Sequence, residues 1–128
     1  MRDEQAVNSY RDLRVWKEAM ELAADCYKLT RALPREEMFG LTAQIRRSSG
    51  SVPANIAEGY GRDSSGSYVH FLKNAQGSLK EVETHLLLAA KVELLPEDVI
   101  APALARADGV GRMLRGLIRS IQHPGASQ

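Results

Sequence analysis

The chain has 128 residues, of which 44% are hydrophobic and 26% are charged, and its formal net charge is +1. This length and composition fit one globular domain and leave no room for a second. The near-neutral balance excludes a basic field over the whole molecule, so any contact with nucleic acid must come from a local basic surface. Because Cys26 is the only cysteine, a disulfide within the chain is excluded and a reducing compartment such as the cytoplasm is favoured.

Neither an export signal nor a membrane anchor is apparent in the sequence. Apolar runs stay far below the roughly 20 residues that cross a bilayer. The charged residues 1–5 lack the apolar core of a signal peptide. We therefore expect a cytoplasmic protein with no membrane partner.

Residues typical of helices dominate the composition, and clusters of glycine, proline and serine divide the chain into four segments with helical apolar spacing. The spacing predicts helices over residues 13–31, 37–60, 65–93 and 96–122. The whole chain, 1–128, is interpreted as a single domain with frayed tails at residues 1–9 and 123–128. Asp12 is the expected N-cap of the first helix.

The third and fourth segments carry the clearest pattern, because apolar residues keep strict heptad spacing in both. In the third segment these residues are Tyr68, Leu72, Ala75, Leu79, Val82, Leu86 and Ala89. In the fourth they are Ile100, Leu104, Ala107, Gly111, Leu114, Ile118 and Ile121. Short connections make consecutive helices antiparallel. The sequence therefore predicts an all-α fold, an antiparallel up-down-up-down four-helix bundle.

The second segment combines a core face with an unusual polar stripe. The core face consists of Leu41, Ile45, Val52 and Ile56, and the stripe beside it consists of Gln44, Arg47, Ser51, Asn55 and Glu58. Small residues occupy much of the remaining circumference, which favours close packing on more than one side. We interpret the stripe as a buried or interfacial hydrogen-bond network with partners on other segments. The alternative is a solvated flank.

Two further features of the second segment affect its shape. Pro53 is expected to kink the helix because proline lacks the amide donor of the helical bond. Gly59 and Gly61 are expected to end the helix through a positive φ, and a following serine is expected to cap the next one.

Residues 41–59 have the sequence LTAQIRRSSGSVPANIAEG. They resemble the signature of bacterial four-helix-bundle proteins first met in intervening sequences of large-subunit ribosomal RNA genes. The resemblance extends to YRDLRVW at residues 10–16, PREEMFG at residues 34–40 and NAQGSLKEVE at residues 74–83, and covers residues 10–121. One departure is SSG at residues 48–50, where alanine-rich residues are usual.

This resemblance implies a ring-shaped homopentamer of four-helix protomers. One branch of the family is the accessory protein of diversity-generating retroelements, which binds nucleic acid and a reverse transcriptase, while most members have no assigned activity. The partners implied for this chain are therefore further copies of itself, RNA or DNA, and a reverse transcriptase or another protein.

A basic stripe is predicted on the fourth helix. Arg112, Arg115 and Arg119 lie at positions i, i+3 and i+7, opposite the apolar seam, and should be exposed together. Arg46 is also expected to point away from the core, so these four arginines are the candidate nucleic-acid-binding residues. Repetition in an oligomer would multiply weak phosphate contacts through avidity. The alternative is a solubilising face on a scaffold that binds only protein.

The sequence offers no residue set typical of an enzyme or a metal site. Glu81 and His85 have the wrong spacing for a di-iron motif, and His70 lies about 22 Å from His85 along one helix. The glycine-rich residues 59–66 lack the strand and the Gly-Lys-Ser/Thr sequence of a nucleotide-binding loop. We therefore expect a non-enzymatic scaffold without metal or cofactor.

Overall fold

The computed structural model describes residues 6–125 and contains four long helices. They are α1 (Arg14–Thr30), α2 (Leu41–Tyr60), α3 (Ser65–Lys91) and α4 (Glu97–Gln122). Single turns of 3-10 helix, Tyr10–Asp12 and Arg35–Glu37, precede α1 and α2, and no strand occurs within the described residues. The four predicted helices are confirmed, and the largest shift in a boundary is the start of α2, where the 3-10 turn replaces the first residues.

The helices form the predicted bundle, in which consecutive helices pack against each other and α4 also packs against α1. Arg46 near the start of α2 reaches Thr30 at the end of α1. Gly59 near the end of α2 meets Phe71 near the start of α3. These contacts join the end of one helix to the start of the next. The architecture is therefore antiparallel and up-down-up-down.

The core is built from the apolar seams, with small shifts from strict heptad spacing. Buried residues of α3 and α4 include most of the predicted positions. Tyr68, Leu104 and Ile121 are only half-buried, whereas Val69, Ala103 and Val110 take core positions. A straight helix has 3.6 residues per turn and drifts by about 20° per heptad relative to a 3.5-residue repeat. The buried face therefore moves to neighbouring positions along each long helix.

The start of α1 differs from the prediction. Asp12 does not cap α1, because Leu13 is the N-cap residue and makes no side-chain cap hydrogen bond. The Asp12 carboxylate instead accepts hydrogen bonds from the backbone amides of Asn8 and Ser9, at 2.9 and 3.2 Å, and closes a capping box on the first 3-10 turn. Of the predicted tails, Asn8 and Ser9 are thus held by hydrogen bonds, and residues 1–5 and 126–128 lie outside the described residues.

The helix α2 remains continuous through Pro53, which lies buried in its interior. The end of α2 differs from the prediction, because Gly61 has a φ of −83° and Gly59 lies inside the helix. A Cβ at Gly59 would stand 2.8 Å from the Cβ of Phe71, closer than two carbons pack. Gly59 is therefore required for the close approach of α2 and α3 and not for a helix cap. Ser64 caps α3, as one of the predicted serines, by accepting a hydrogen bond from the amide of Ser67.

Candidate functional site

An open groove of about 350 Å³ runs between the first half of α3 and the last turns of α4. We call it the basic groove. Its lining residues are Lys73, Gln76, Arg115, Ile118, Arg119, Gln122 and His123. The groove therefore contains two of the three arginines of the predicted stripe and adds basic side chains from two other places in the sequence.

The close packing of α3 and α4 positions these side chains. A Cβ at Gly111 would lie 3.3 Å from Leu79 Cδ2, so the glycine lets the two helices approach tightly. One turn further along, Leu114 and Ile118 are buried and fix the rotation of α4. Because of this rotation, Arg115 and Arg119 face outward beside the junction of α4 with α3.

Arg115 and Arg119 project from successive turns of α4 and are both exposed. Their i,i+4 spacing places two like charges side by side, which is unfavourable for an isolated helix. Lys73 on α3 lines the same groove and adds a third positive charge. An anion bound in the groove would relieve this repulsion.

The basic residues of α4 divide into paired and unpaired groups. Arg112 forms an exposed ion pair with Asp108 at 3.1 Å, one turn earlier on α4. Arg106 donates to both Asp25 and Glu18 of α1, each at 2.9 Å. Within residues 6–125, in contrast, no carboxylate lies within ion-pair distance of Lys73, Arg115 or Arg119. Three positive charges without an acidic partner in this range thus lie together in the basic groove.

The ion pairs of Arg106 join α4 to α1 and were not predicted from the sequence. Partial burial of the guanidinium opposes its charge, but the carboxylates of Asp25 and Glu18 outweigh this effect and raise the pKa of Arg106. Arg106 is far in the sequence from both carboxylates, so no local pattern could reveal these ion pairs. They belong to the framework and add no charge to the basic groove.

Arg46 points away from the core, as predicted, but it is held against α1. Its guanidinium lies over the ring of Tyr27, 4.7 Å from the centroid, and its Nε donates a 2.8 Å hydrogen bond to Oγ1 of Thr30. Both partners belong to α1, so Arg46 lies along the bundle surface and is half-exposed. It also lies at the opposite end of the bundle from the basic groove, at the junction of α1 and α2.

The polar stripe of α2 is satisfied locally. Arg47 donates to Gln44, and Glu58 pairs with Arg62, in each case within about one turn of the same helix or its end. The expectation that Arg47 and Glu58 find partners on distant segments is therefore wrong for the single chain, in which both are exposed.

The middle of the stripe makes the contact between helices. Asn55 donates to the carbonyl and the hydroxyl of Ser51, at 2.9 Å each. The Ser51 hydroxyl lies 2.8 Å from that of Ser78 on α3. The interpretation as a hydrogen-bond network holds for these residues, while Arg47 and Glu58 form its exposed ends.

The other reactive side chains do not form a second chemical centre. Cys26 is fully buried, and this burial, with the nearby Asp25 carboxylate, raises the pKa of its thiol to about 11, although a hydrogen bond with Ser49 opposes the shift. The thiol is thus protonated at neutral pH and a poor nucleophile. In the part of the chain that the structure describes, no group of three or more potential metal ligands comes together.

Comparisons with known proteins agree with the fold. A sequence model of the 23S rRNA-intervening sequence protein family matches residues 11–116. A crystal structure of a protein of unknown function from the S23 ribosomal protein family of Bacteroides thetaiotaomicron has a TM-score of 0.76 and 24% identity. The match covers 82% of this chain and 98% of that one. No match was found among curated proteins. None of the helices in residues 6–125 is long and apolar enough to cross a membrane.

Proposed function

The chain belongs to the 23S rRNA intervening-sequence protein family, and from this premise we propose that it is a non-enzymatic, homo-oligomeric scaffold that binds RNA or DNA. The observation that carries the proposal is the basic groove, in which Lys73, Arg115 and Arg119 have no acidic partner among the described residues. In a protein with a net charge of only +1, this local excess of positive charge favours an anionic ligand.

The chemistry of the groove favours phosphates over bases. Two arginines and a lysine suit the oxygens of a sugar-phosphate backbone, and Gln76 and Gln122 add amide donors. The lining contains no Phe, Tyr or Trp, so the stacking platforms on which single-stranded bases are usually read are missing. We therefore propose binding that depends on the backbone and is largely independent of base sequence.

An oligomer would strengthen this binding. The family resemblance supports a homopentamer, in which five copies of the basic groove would contact one nucleic acid. Each groove alone would bind weakly, but linkage raises the effective concentration of every further contact. The same resemblance supports a reverse transcriptase or another protein as a further partner, and the single buried thiol of Cys26 supports a cytoplasmic location.

The test is fluorescence anisotropy of labelled single-stranded and duplex RNA and DNA against the pure protein over a salt series. The variant Arg115→Glu/Arg119→Glu reverses the charge of the basic groove. The matched control Lys17→Glu/Arg31→Glu makes the same change in net charge at two exposed positions of α1 and its end. We expect salt-dependent binding that the groove variant loses and the control retains.

Two results would overturn the proposal. Equal losses in the groove variant and in the control would show that net charge, and not the basic groove, governs binding. An absence of binding by the unchanged protein at low salt would remove nucleic acid as the ligand.

A scaffold that binds only protein is the second candidate, and a specific observation favours it. Phe39 is 90% exposed, and further apolar side chains are exposed near it. Apolar surfaces of this kind are typical of protein interfaces. Because burial of apolar surface depends little on ionic strength, such binding would persist at salt concentrations that release a nucleic acid.

A further inference from the structure

One end of the bundle, where α1 and α3 finish and α2 and α4 begin, exposes an unusual amount of apolar surface. Seven of the nine large apolar side chains exposed within residues 6–125 lie there, namely Tyr27, Met38, Phe39, Leu87, Leu88, Val92 and Val99. We call this the apolar end. We propose that a second copy of the chain docks here, with Phe39 of one copy inserted in a groove between α3 and α4 of the next. This proposal rests on the homo-oligomer of the proposed function and names its contact.

Phe39 is presented by an ordered turn. The turn between α1 and α2 contains the 3-10 helix Arg35–Glu37, and the amides of Met38 and Gly40 donate to the carbonyls of Arg35 and Glu37. The Glu37 carboxylate then accepts a 3.0 Å hydrogen bond from the first amide of α2. The turn is thus fixed at both sides of Phe39. Docking this side chain would cost little additional ordering of the backbone.

The groove that receives Phe39 lies between the end of α3 and the start of α4 and has a volume of about 420 Å³. Its apolar lining consists of Leu87, Ala90, Ile100, Ala101 and Leu104. The two alanines leave room between the larger side chains. A buried aromatic side chain removes about 150–250 Å² of surface from water, so one phenyl group would supply the centre of such an interface.

The charges around the two surfaces are complementary. Arg35 and Glu36 flank Phe39 on its turn, and Lys91 and Glu97 stand at the rim of the groove. All four are exposed, and none forms an ion pair with another residue of the described range 6–125. Each surface thus offers one positive and one negative group to the other. This match favours a second copy of the same chain over an unrelated protein.

The position of the two surfaces makes the contact head-to-tail. Phe39 lies at the edge formed by α1 and α2, and the groove lies at the opposite edge, formed by α3 and α4. Phe39 is 90% exposed and so does not fill the groove of its own chain. Each copy would therefore use Phe39 toward one neighbour and its groove toward the other. Such heterologous contacts form a ring when the rotation closes.

The test combines two variants that each remove one side of the contact. Phe39→Ala removes the inserted side chain, and Ala101→Glu places a charge in the groove at an exposed helical position. We expect the unchanged protein to be larger than a dimer in light scattering coupled to size-exclusion chromatography. Each variant alone should be monomeric, with self-affinity lowered at least about 30-fold, as for the loss of an interface hot spot.

Mixing the two variants gives the sharpest result. Phe39 of the Ala101→Glu variant can still enter the groove of the Phe39→Ala variant, but no other contact of this kind remains. The mixture should therefore form a dimer with one copy of each and nothing larger. As a control, Met20→Ala removes an exposed apolar side chain in the middle of α1 and should keep the mass of the unchanged protein.

The outcomes separate this inference from the proposed function. If the unchanged protein is an oligomer and Phe39→Ala keeps its mass, the docking contact is overturned while the oligomer stands. If the unchanged protein is a monomer at all concentrations, both the contact and the oligomer are overturned. In either case the basic groove is tested separately, by the anisotropy difference between the groove variant and its charge-matched control in the same oligomeric state.

Discussion

The two ends of the bundle use the same helices to present opposite chemistry. At one end the basic groove gathers Lys73, Arg115 and Arg119 without acidic partners in the described range. At the other, the apolar end exposes Phe39 and Leu87 among mixed charges that balance each other. The core between them is continuous and gives both ends the same framework. On the proposed function, surface composition, and not backbone architecture, distinguishes what each end of the bundle binds.

The largest expected effect is a separation of the two activities by end. Arg115→Glu/Arg119→Glu should lower nucleic-acid affinity on the order of 100-fold at low salt, because two phosphate contacts become repulsive. The same variant should keep the mass of the unchanged protein. Phe39→Ala should be monomeric and should keep the nucleic-acid affinity of a single basic groove, while it loses the avidity of the oligomer. Anisotropy and light scattering on both variants measure this, and a variant that loses both properties would break the comparison.

A packing change at α2 and α3 tests the framework beneath the basic groove. Gly59→Ala should lower the free energy of unfolding by up to about 3 kcal/mol, because the new Cβ would overlap Phe71. Gly50→Ala is the matched control, since no atom lies within 4 Å of a Cβ there, and it should raise stability by about 1 kcal/mol. Urea unfolding curves give both free energies of unfolding. If Gly59→Ala changed the stability in the same way as Gly50→Ala, the close approach of α2 and α3 would be contradicted.

Titration of Cys26 tests the core nearer the apolar end. The thiol has a pKa of about 11 in the folded chain against an ordinary value of 9.0. Between these values the unfolded chain releases the proton and the folded chain keeps it. Stability should therefore fall as pH rises from 9 to 11, by up to about 2 kcal/mol, and should not change from this cause below pH 9.

The comparison with Cys26→Ala isolates this effect. Burial and the neighbouring Tyr60 also raise the pKa of Tyr68, which adds a loss of stability at still higher pH in both proteins. The difference in unfolding free energy between the two proteins should narrow between pH 9 and 11. A constant difference over this range would contradict the raised thiol pKa.

The smallest expected effect concerns Arg46, a basic residue near the apolar end. Arg46→Ala should lower the free energy of unfolding by about 1 kcal/mol, because it loses the hydrogen bond to Thr30 and the contact with the Tyr27 ring. Its effect on nucleic-acid affinity should be negligible. Chemical unfolding and anisotropy of the one variant check both statements, and a clear loss of affinity would return Arg46 to the binding surface.

The sequence predicted the helices and the bundle because both depend on apolar spacing within a segment. The exposure of Arg115 and Arg119 followed from the same helical spacing, since residues opposite an apolar seam face outward. Lys73 was missed because it joins the arginines only after α3 and α4 pair, and the register of that pairing is set by Gly111 against Leu79. The available signal was the position of Lys73 directly after the seam residue Leu72, because residues that flank a seam lie beside the neighbouring helix.

The prediction was incomplete or wrong where a contact with a neighbouring helix determines what a residue does. The helical spacing correctly placed Arg46 away from the core, but it contains no information about the ring of Tyr27 that holds the guanidinium. Gly59 was assigned to a cap because glycine suits a positive φ, yet here it provides space for Phe71. In both cases the local preference is real, and a tertiary contact adds to it or outweighs it.

The length of α3 sets how the two ends influence each other. Its 27 residues correspond to about 40 Å of helix. A charge in solution at 0.1 M salt is screened within about 10 Å. Lys73 in the basic groove and Lys91 at the rim of the groove at the apolar end are separated by about 27 Å along this helix, so a phosphate at the basic groove exerts little field at that rim, more than two screening lengths away. Nucleic-acid binding and self-association should therefore have little electrostatic coupling, and the linkage between them should come from the avidity of several basic grooves on one nucleic acid.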